Sequence, residues 1–221
     1  MPAHTIDRAL TSDGGELTLS QNGDRYALRI DGQELMNSAS HRSEERLAVH
    51  GCAGLAGKPG VRVLVGGLGM GFTARAALDA LAADAEVVVV ESVAAVVRWN
   101  RAVLGHLAGE PLADPRLSII EADVFDTIAG AASRYDAILL DVDNGPSALT
   151  VFTNRRLYSV AGLQSALRAL RPGGVLAVWS TFQDATFTAR LRAVGFDITV
   201  KRVLAGDGSR RRHILWLARR S

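Results

Sequence analysis

A chain of 221 residues, 48% hydrophobic and 22% charged, can bury a full core and is expected to form one domain. Its formal net charge of only +2 argues against a general nucleic-acid binder, even with a pI of 9.0. No apolar run approaches the roughly 20 residues that span a bilayer, and no secretory leader pattern opens the chain. Cys52 is the single cysteine, which excludes an intrachain disulfide. The expectation is a soluble cytoplasmic protein without membrane contact.

Residues 15–37 alternate weakly between turn signals at Gly14-Gly15, Asn22-Gly23 and Asp31-Gly32, which predicts two or three short strands. His41 to Leu55 reads as a helix leading into Gly57-Lys-Pro-Gly60. From there apolar strand runs and helical patterns alternate. Strands fit Val61–Val65, Glu86–Glu91, Leu117–Glu121, Tyr135–Asp141, Gly174–Ser180, Phe196–Val203 and His213–Ala218. Helices fit Thr73–Leu81, Val93–Leu104, Asp126–Ala132, Asn154–Leu170 and Gln183–Val194. Pro172-Gly173-Gly174 reads as a helix stop and turn before a strand. Strands rich in Val, Ile and Leu without alternation predict a parallel sheet covered on both faces, and the helix–strand alternation makes it doubly wound. The last two strands lie too close for a crossover helix and are expected to be antiparallel. The fold class is therefore α/β and Rossmann-like, with a mostly parallel seven-stranded sheet closed by a C-terminal antiparallel hairpin. Residues 1–56 form a short N-terminal β extension and lead-in helix; residues 57–221 form the Rossmann-like domain.

The chemistry concentrates where the Val61–Val65 strand breaks into Gly66, Gly67, Gly69 and Gly71 before a helix. Glycines allow positive φ and close approach to the backbone, and a helix start offers free N–H groups and partial positive charge. Together they form a cradle for a nucleotide-like ligand. Gly69-Met-Gly-Phe-Thr-Ala74 formally satisfies the G-x-G-x-x-A dinucleotide pattern. The closing hairpin, and the little room for a separate substrate domain, point instead to class I AdoMet-dependent transferases.

From about Leu35 to Ser180 the chain resembles the spermidine synthase family, a branch of the class I methyltransferase superfamily. The resemblance rests on the Gly67-Leu-Gly-Met-Gly71 turn, Val90-Glu91, Asp114-Pro-Arg116 with Glu121-Ala-Asp123, Tyr135-Asp-Ala-Ile-Leu-Leu-Asp141 and Leu170-Arg-Pro-Gly-Gly174. It implies a donor site for AdoMet or its decarboxylated form, built from Gly67, Gly69, Met70, Gly71, Glu91, Ser92, Asp123 and Val124. Glu91 ends the second strand, where a carboxylate can accept both ribose hydroxyl protons; a strand-end acid in solvent is its structural alternative. By resemblance Asp123 bonds the adenine amino group, aided by backbone N–H groups near Val124; capping the next helix is its structural alternative. Asp141, at the carboxyl edge of the fourth strand, is the expected catalytic residue, holding and helping to deprotonate an attacking amine. His41, Glu44, Asp143, Asn144 and Tyr158 are the candidates for the acceptor pocket.

Three departures stand against these matches. Where the family carries an amine-holding aspartate in the glycine turn, this chain has Met70. The second aspartate after the fourth strand is Asn144, with Asp143 one place earlier. A Tyr-His pair used for the diamine aligns with Ser43-Glu44. On this ground methyl transfer to a small nucleophile is the leading expectation, aminopropyl transfer the alternative, and a non-catalytic nucleotide-binding module a third. The five histidines and one cysteine show no metal-ligand spacing, so no metal is expected. Ser159 and Ser180 lack a nucleophile elbow. The basic residues from Lys201 to Arg220 read as solvated hairpin ends, so the expected partner is a small-molecule acceptor rather than nucleic acid, and a homodimer stays open.

Overall fold

The computed structural model describes residues 3–142, 144–146, 152–206 and 208–221, and its strands fall into two sheets. The first is an antiparallel meander of β1 (His4–Leu10), β2 (Glu16–Asn22), β3 (Arg25–Ile30) and β4 (Gln33–Asn37). Three of them fall within residues 15–37, where the sequence pattern predicts two or three; β1 precedes that range and is not predicted. β1 is mostly exposed and so carries little apolar signal; pairing with β2 holds it. The β3–β4 turn has the geometry of a two-residue I′ hairpin, with Asp31 and Gly32 at φ 49° and 81° between paired Ile30 and Gln33.

A helix, α1 (Arg42–Gly51), leads into the second sheet. Its elements follow as β5 (Arg62–Gly66), α2 (Phe72–Ala80), β6 (Glu86–Glu91), α3 (Ala94–Trp99), β7 (Leu117–Glu121), α4 (Val124–Ala129) and β8 (Tyr135–Leu140). Then come α5 (Val160–Ala169), β9 (Leu170–Ser180), α6 (Ala185–Val194), β10 (Phe196–Leu204) and β11 (Arg212–Arg220). The strand order is β10-β11-β9-β8-β5-β6-β7, parallel except for β11, which runs antiparallel to β9 and β10. The seven-stranded sheet and its closing hairpin are as the sequence predicts.

Successive residues of β5 show why both faces are apolar. Val63 and Val65 join one core cluster, beneath α1, α2 and α3, while Leu64 joins the other, beneath α4, α5 and α6. Each such side chain contributes about 1.5–3 kcal/mol on burial. The chain leaves β5 for β6 on one side and returns to β8 on the other, so the crevice opens at the carboxyl ends of β5 and β8.

Several helix boundaries differ from expectation: α1 ends at Gly51 rather than Leu55, α4 spans Val124–Ala129 rather than Asp126–Ala132, and α6 begins at Ala185 rather than Gln183. α5 begins only at Val160, because Ser159 is extended and its Oγ accepts the Gly162 N–H at 3.1 Å. The helix stops at Ala169, and Pro172-Gly173-Gly174 falls inside the irregular start of β9 rather than before it; Leu170 already pairs with Tyr135. The Val93–Leu104 prediction resolves into α3 continued by a π-helical turn over Asn100–Leu104.

Candidate active site

The glycine turn is stitched to both neighbouring strands. Gly67 N–H donates to the Val90 carbonyl at 2.9 Å, and Asp141 N–H to the Gly66 carbonyl at 3.0 Å. Gly67, at φ 84°, passes so close to β8 that a Cβ there would lie 2.6 Å from the Asp141 carbonyl oxygen. A Cβ on Gly69 would lie 2.8 Å from Sδ of Met36, which brings β4 of the N-terminal sheet down onto the turn. Asn100 braces the turn from behind, its Nδ2 donating to the Gly69 carbonyl at 2.8 Å.

Beside this turn runs a cleft of about 1040 Å³, its open mouth included. Gly67, Gly69, Val90, Glu91, Ser92, Ala122, Asp123, Val124, Asp141 and Val142 form its floor, and Glu44 and Trp179 stand at its wall. Leu17, Leu28, Ile30, Leu35 and Met36 of the N-terminal region roof it, with Thr11 and Ser12. The β extension therefore lines the same cleft as the glycine turn. Trp99 of α3 ties it down, its Nε1–H donating to Asp7 at 2.7 Å, and that bond holds the Asp7 carboxyl below its ordinary range.

Glu91 is 8% exposed, and its two oxygens accept the N–H groups of Leu68 at 3.0 Å and Val93 at 2.8 Å. Burial raises its pKa, and these backbone bonds oppose the rise. It thus clamps the glycine turn and still faces the cleft. Asp123 lines the cleft and caps α4, its structural alternative, accepting the Phe125 N–H at 2.7 Å. Its other oxygen pairs with Arg156 at 2.8 Å.

Asp141 follows directly on β8. Burial pushes its carboxyl up to about 6, partly offset by Thr73 Oγ1, which donates to Oδ2 at 2.5 Å. Glu44, near the start of α1, is 6% exposed, and its Oε2 has no hydrogen-bond partner among the described residues. Burial, and then the nearby Asp141 charge, raise its pKa strongly. Beside it, Ser43 bonds His213 Nδ1 at 2.9 Å, and the His213 ring packs edge-on to Trp179 at 4.6 Å. Burial lowers the His213 pKa to about 4, so that imidazole is neutral near pH 7.

Five of the expected residues, Met70, Gly71, His41, Tyr158 and Asn144, do not line the cleft. Met70 is fully buried in the apolar core. His41 precedes α1 and turns outward, stacking on Phe72 at 4.0 Å and bonding Glu45 at 2.8 Å. Tyr158 is buried against Phe187, and its hydroxyl donates to the Val142 carbonyl at 3.2 Å, so it braces the strand end instead. Asn144 is buried and offers its carbonyl to Thr181 at 2.8 Å. Gly71, at φ 87°, sets the start of α2. Asp143 lies outside the described residues. Sequence reasoning missed Thr73, which sits at an unspecified position of the glycine pattern, and Trp179 and the residues of the N-terminal region, which belong to no spaced motif. Among the described residues no cluster of three or more His, Cys, Asp or Glu suits a metal, and no helix is long and apolar enough to cross a membrane.

No protein-family model matches the chain. It is 29% identical over 195 residues to polyamine aminopropyltransferases of Mycobacterium tuberculosis and Mycobacterium bovis, covering 83% of this chain and 35% of theirs. The chain thus spans about a third of the length of these curated relatives. Among solved structures it superposes on the spermidine synthase of Thermotoga maritima with a TM-score of 0.76 at 19% identity, over 98% of this chain and 73% of that one. A spermidine synthase in complex with the transition state analogue AdoDATO gives 0.75 at 19% identity, over 98% and 72%. A probable spermidine synthase from Corynebacterium glutamicum gives 0.70 at 16% identity, over 100% and 81%. The chain has the Rossmann-like, class I methyltransferase-like fold of the spermidine synthases, and its sequence is similar to that of the polyamine aminopropyltransferases.

Proposed function

We propose that this protein transfers an aminopropyl group from decarboxylated AdoMet to a small amine. The observation that carries this reading is Asp141, which stands in the same cleft as Glu91, Asp123 and the glycine turn. The similarity to polyamine aminopropyltransferases supports aminopropyl over methyl transfer. The expectation of methyl transfer rested on Met70 and Asn144, and nothing in the comparisons supports it.

In this reading Glu91 receives the ribose hydroxyls, and Asp123 with the first amides of α4 holds the adenine edge. The donor supplies an electrophilic carbon on a sulfonium. Asp141 holds the acceptor amine and takes its proton. For an alkylammonium of pKa about 10.4, that transfer costs about 9 kcal/mol to an ordinary aspartate. With the Asp141 carboxyl at about 6, it costs about 6 kcal/mol. The freed nitrogen lone pair forms the N–C bond as the C–S electron pair stays on sulfur, which leaves as a neutral thioether. Orientation in the cleft supplies much of the remaining barrier reduction.

The test is product analysis with purified protein. Decarboxylated AdoMet and 1,4-diaminobutane should release methylthioadenosine and a longer polyamine. Release of S-adenosylhomocysteine from AdoMet, with no methylthioadenosine from the decarboxylated donor, would return the case to methyl transfer.

A further inference from the structure

Glu44 and Asp141 put two carboxylates on one cleft, from α1 and from the end of β8. Among the described residues no lysine or arginine is bonded to either; Asp141 has only the Thr73 hydroxyl, and Glu44 Oε2 has nothing. The other groups beside them do not supply a cation. Glu45, next on α1, is acidic, and His213 on β11 is neutral near pH 7 and bonded to Ser43. A buried carboxylate oxygen without a partner is costly and is rarely kept without a use. One such oxygen, on Glu44, shares its cleft with the Asp141 carboxyl, and the pair calls for a cation with several N–H donors.

We propose that Glu44 is the specificity-determining residue of the acceptor site: an ammonium seated between Glu44 and Asp141 is held by both carboxylates, so the site takes cationic amines and rejects neutral alcohols and acceptors with a carboxylate near the amine. This rests on the function proposed above. The two positions where the family pattern loses acids do not restore the charge, since Met70 lies in the core and Asn144 is neutral and buried. Glu44 restores it from a different element. The same charge acts against wrong acceptors, because a carboxylate brought to this wall meets like charge. Trp179 bounds the cleft with an aromatic surface that suits an alkylammonium.

Titration calorimetry of the full chain tests this, with and without saturating methylthioadenosine. The titrants are 1,4-diaminobutane, 1,4-butanediol and 4-aminobutanoate. The unmodified protein should bind the diamine and neither of the others. Glu44→Gln should weaken diamine binding by roughly 10- to 100-fold while leaving the methylthioadenosine affinity near its original value. Glu44→Asp, which keeps the charge, should recover part of the loss. Equal diamine affinity in Glu44→Gln, or butanediol binding as well as the diamine, would overturn the proposal. The two readings separate cleanly: lack of methylthioadenosine binding by the unmodified protein refutes the donor assignment, whereas Glu44-dependent diamine binding without the nucleoside still upholds the acceptor site.

Discussion

Replacing Asp141 with asparagine should make the protein more stable at alkaline pH while removing its activity. The folded Asp141 carboxyl titrates at about 6 against an ordinary 3.8. Between those values the folded state holds a proton that the unfolded chain has lost, so stability falls as pH rises through this window. Above both values the deficit is constant, and 2.2 pKa units at 1.36 kcal/mol each set it at about 3 kcal/mol. This is an upper bound, because the side chain opens to water in the cleft. Asparagine keeps an oxygen for Thr73 Oγ1 and removes only the desolvated charge. It also relieves Glu44, whose ionisation the Asp141 charge opposes, and this adds in the same direction. At about 2–4 °C per kcal/mol for a chain of this size, the variant should melt up to about 10 °C higher at pH 8. The gap should close as the pH drops below about 4. Thermal unfolding followed by circular dichroism at pH 8, 6 and 4 reads this directly. A variant no more stable than the original at pH 8, or one with a gap independent of pH, would refute the reasoning.

Gly67→Ala places a Cβ 2.6 Å from the Asp141 carbonyl at φ 84°, and should cost about 2–4 kcal/mol in chemical denaturation from left-handed strain plus overpacking. Glu91→Gln leaves one of the Leu68 and Val93 N–H groups without an acceptor, so it should lose about 1–3 kcal/mol of stability and weaken methylthioadenosine binding in the same calorimetric titration. Trp99→Phe removes the donor to Asp7, so the Asp7 carboxyl should titrate higher in an NMR pH series, and β1 amides should exchange faster with solvent.

The strands of the second sheet were legible because burial on both faces leaves apolar runs that nothing else explains, as in Val63 to Val65. β1 was not, because an exposed strand held by pairing needs no apolar alternation. Glu91, Asp123 and Asp141 were legible for a related reason: each stands at a strand end beside a glycine turn or a helix start, so local pattern marks it. Thr73 meets Asp141 across 68 positions of sequence, and Trp179 reaches the same wall from β9; only the folded topology brings them together. His41 and Glu44 are three residues apart, a spacing that shares one face inside a helix. His41 precedes α1, with a non-helical backbone at φ −122°, so the rule does not reach it and its ring turns outward.

The expectation of methyl transfer counted charge at motif positions, whereas the acceptor feels the charge of the whole cleft. Met70 occupies the place of an aspartate, yet its side chain points into the core beneath the turn. The substitution therefore removes an acid from the site and fills a packing position in one step. Asn144 carries no charge, and its backbone carbonyl, which any residue there would offer, accepts from Ser180 and Thr181 at the end of β9. Both changes lower the negative charge of the loops around the crevice. Glu44 then adds a carboxylate from α1, a rigid element whose backbone carbonyl also lies 3.3 Å from the Thr73 hydroxyl that bonds Asp141. One hydroxyl thus couples the placement of both acids. A carboxylate on a helix is held more firmly than one on a loop, since its backbone is fixed by the hydrogen bonds of the helix. Fewer acids held more rigidly can keep affinity for an ammonium while narrowing the acceptors that fit, so Glu44 and Asp141 together should govern acceptor choice.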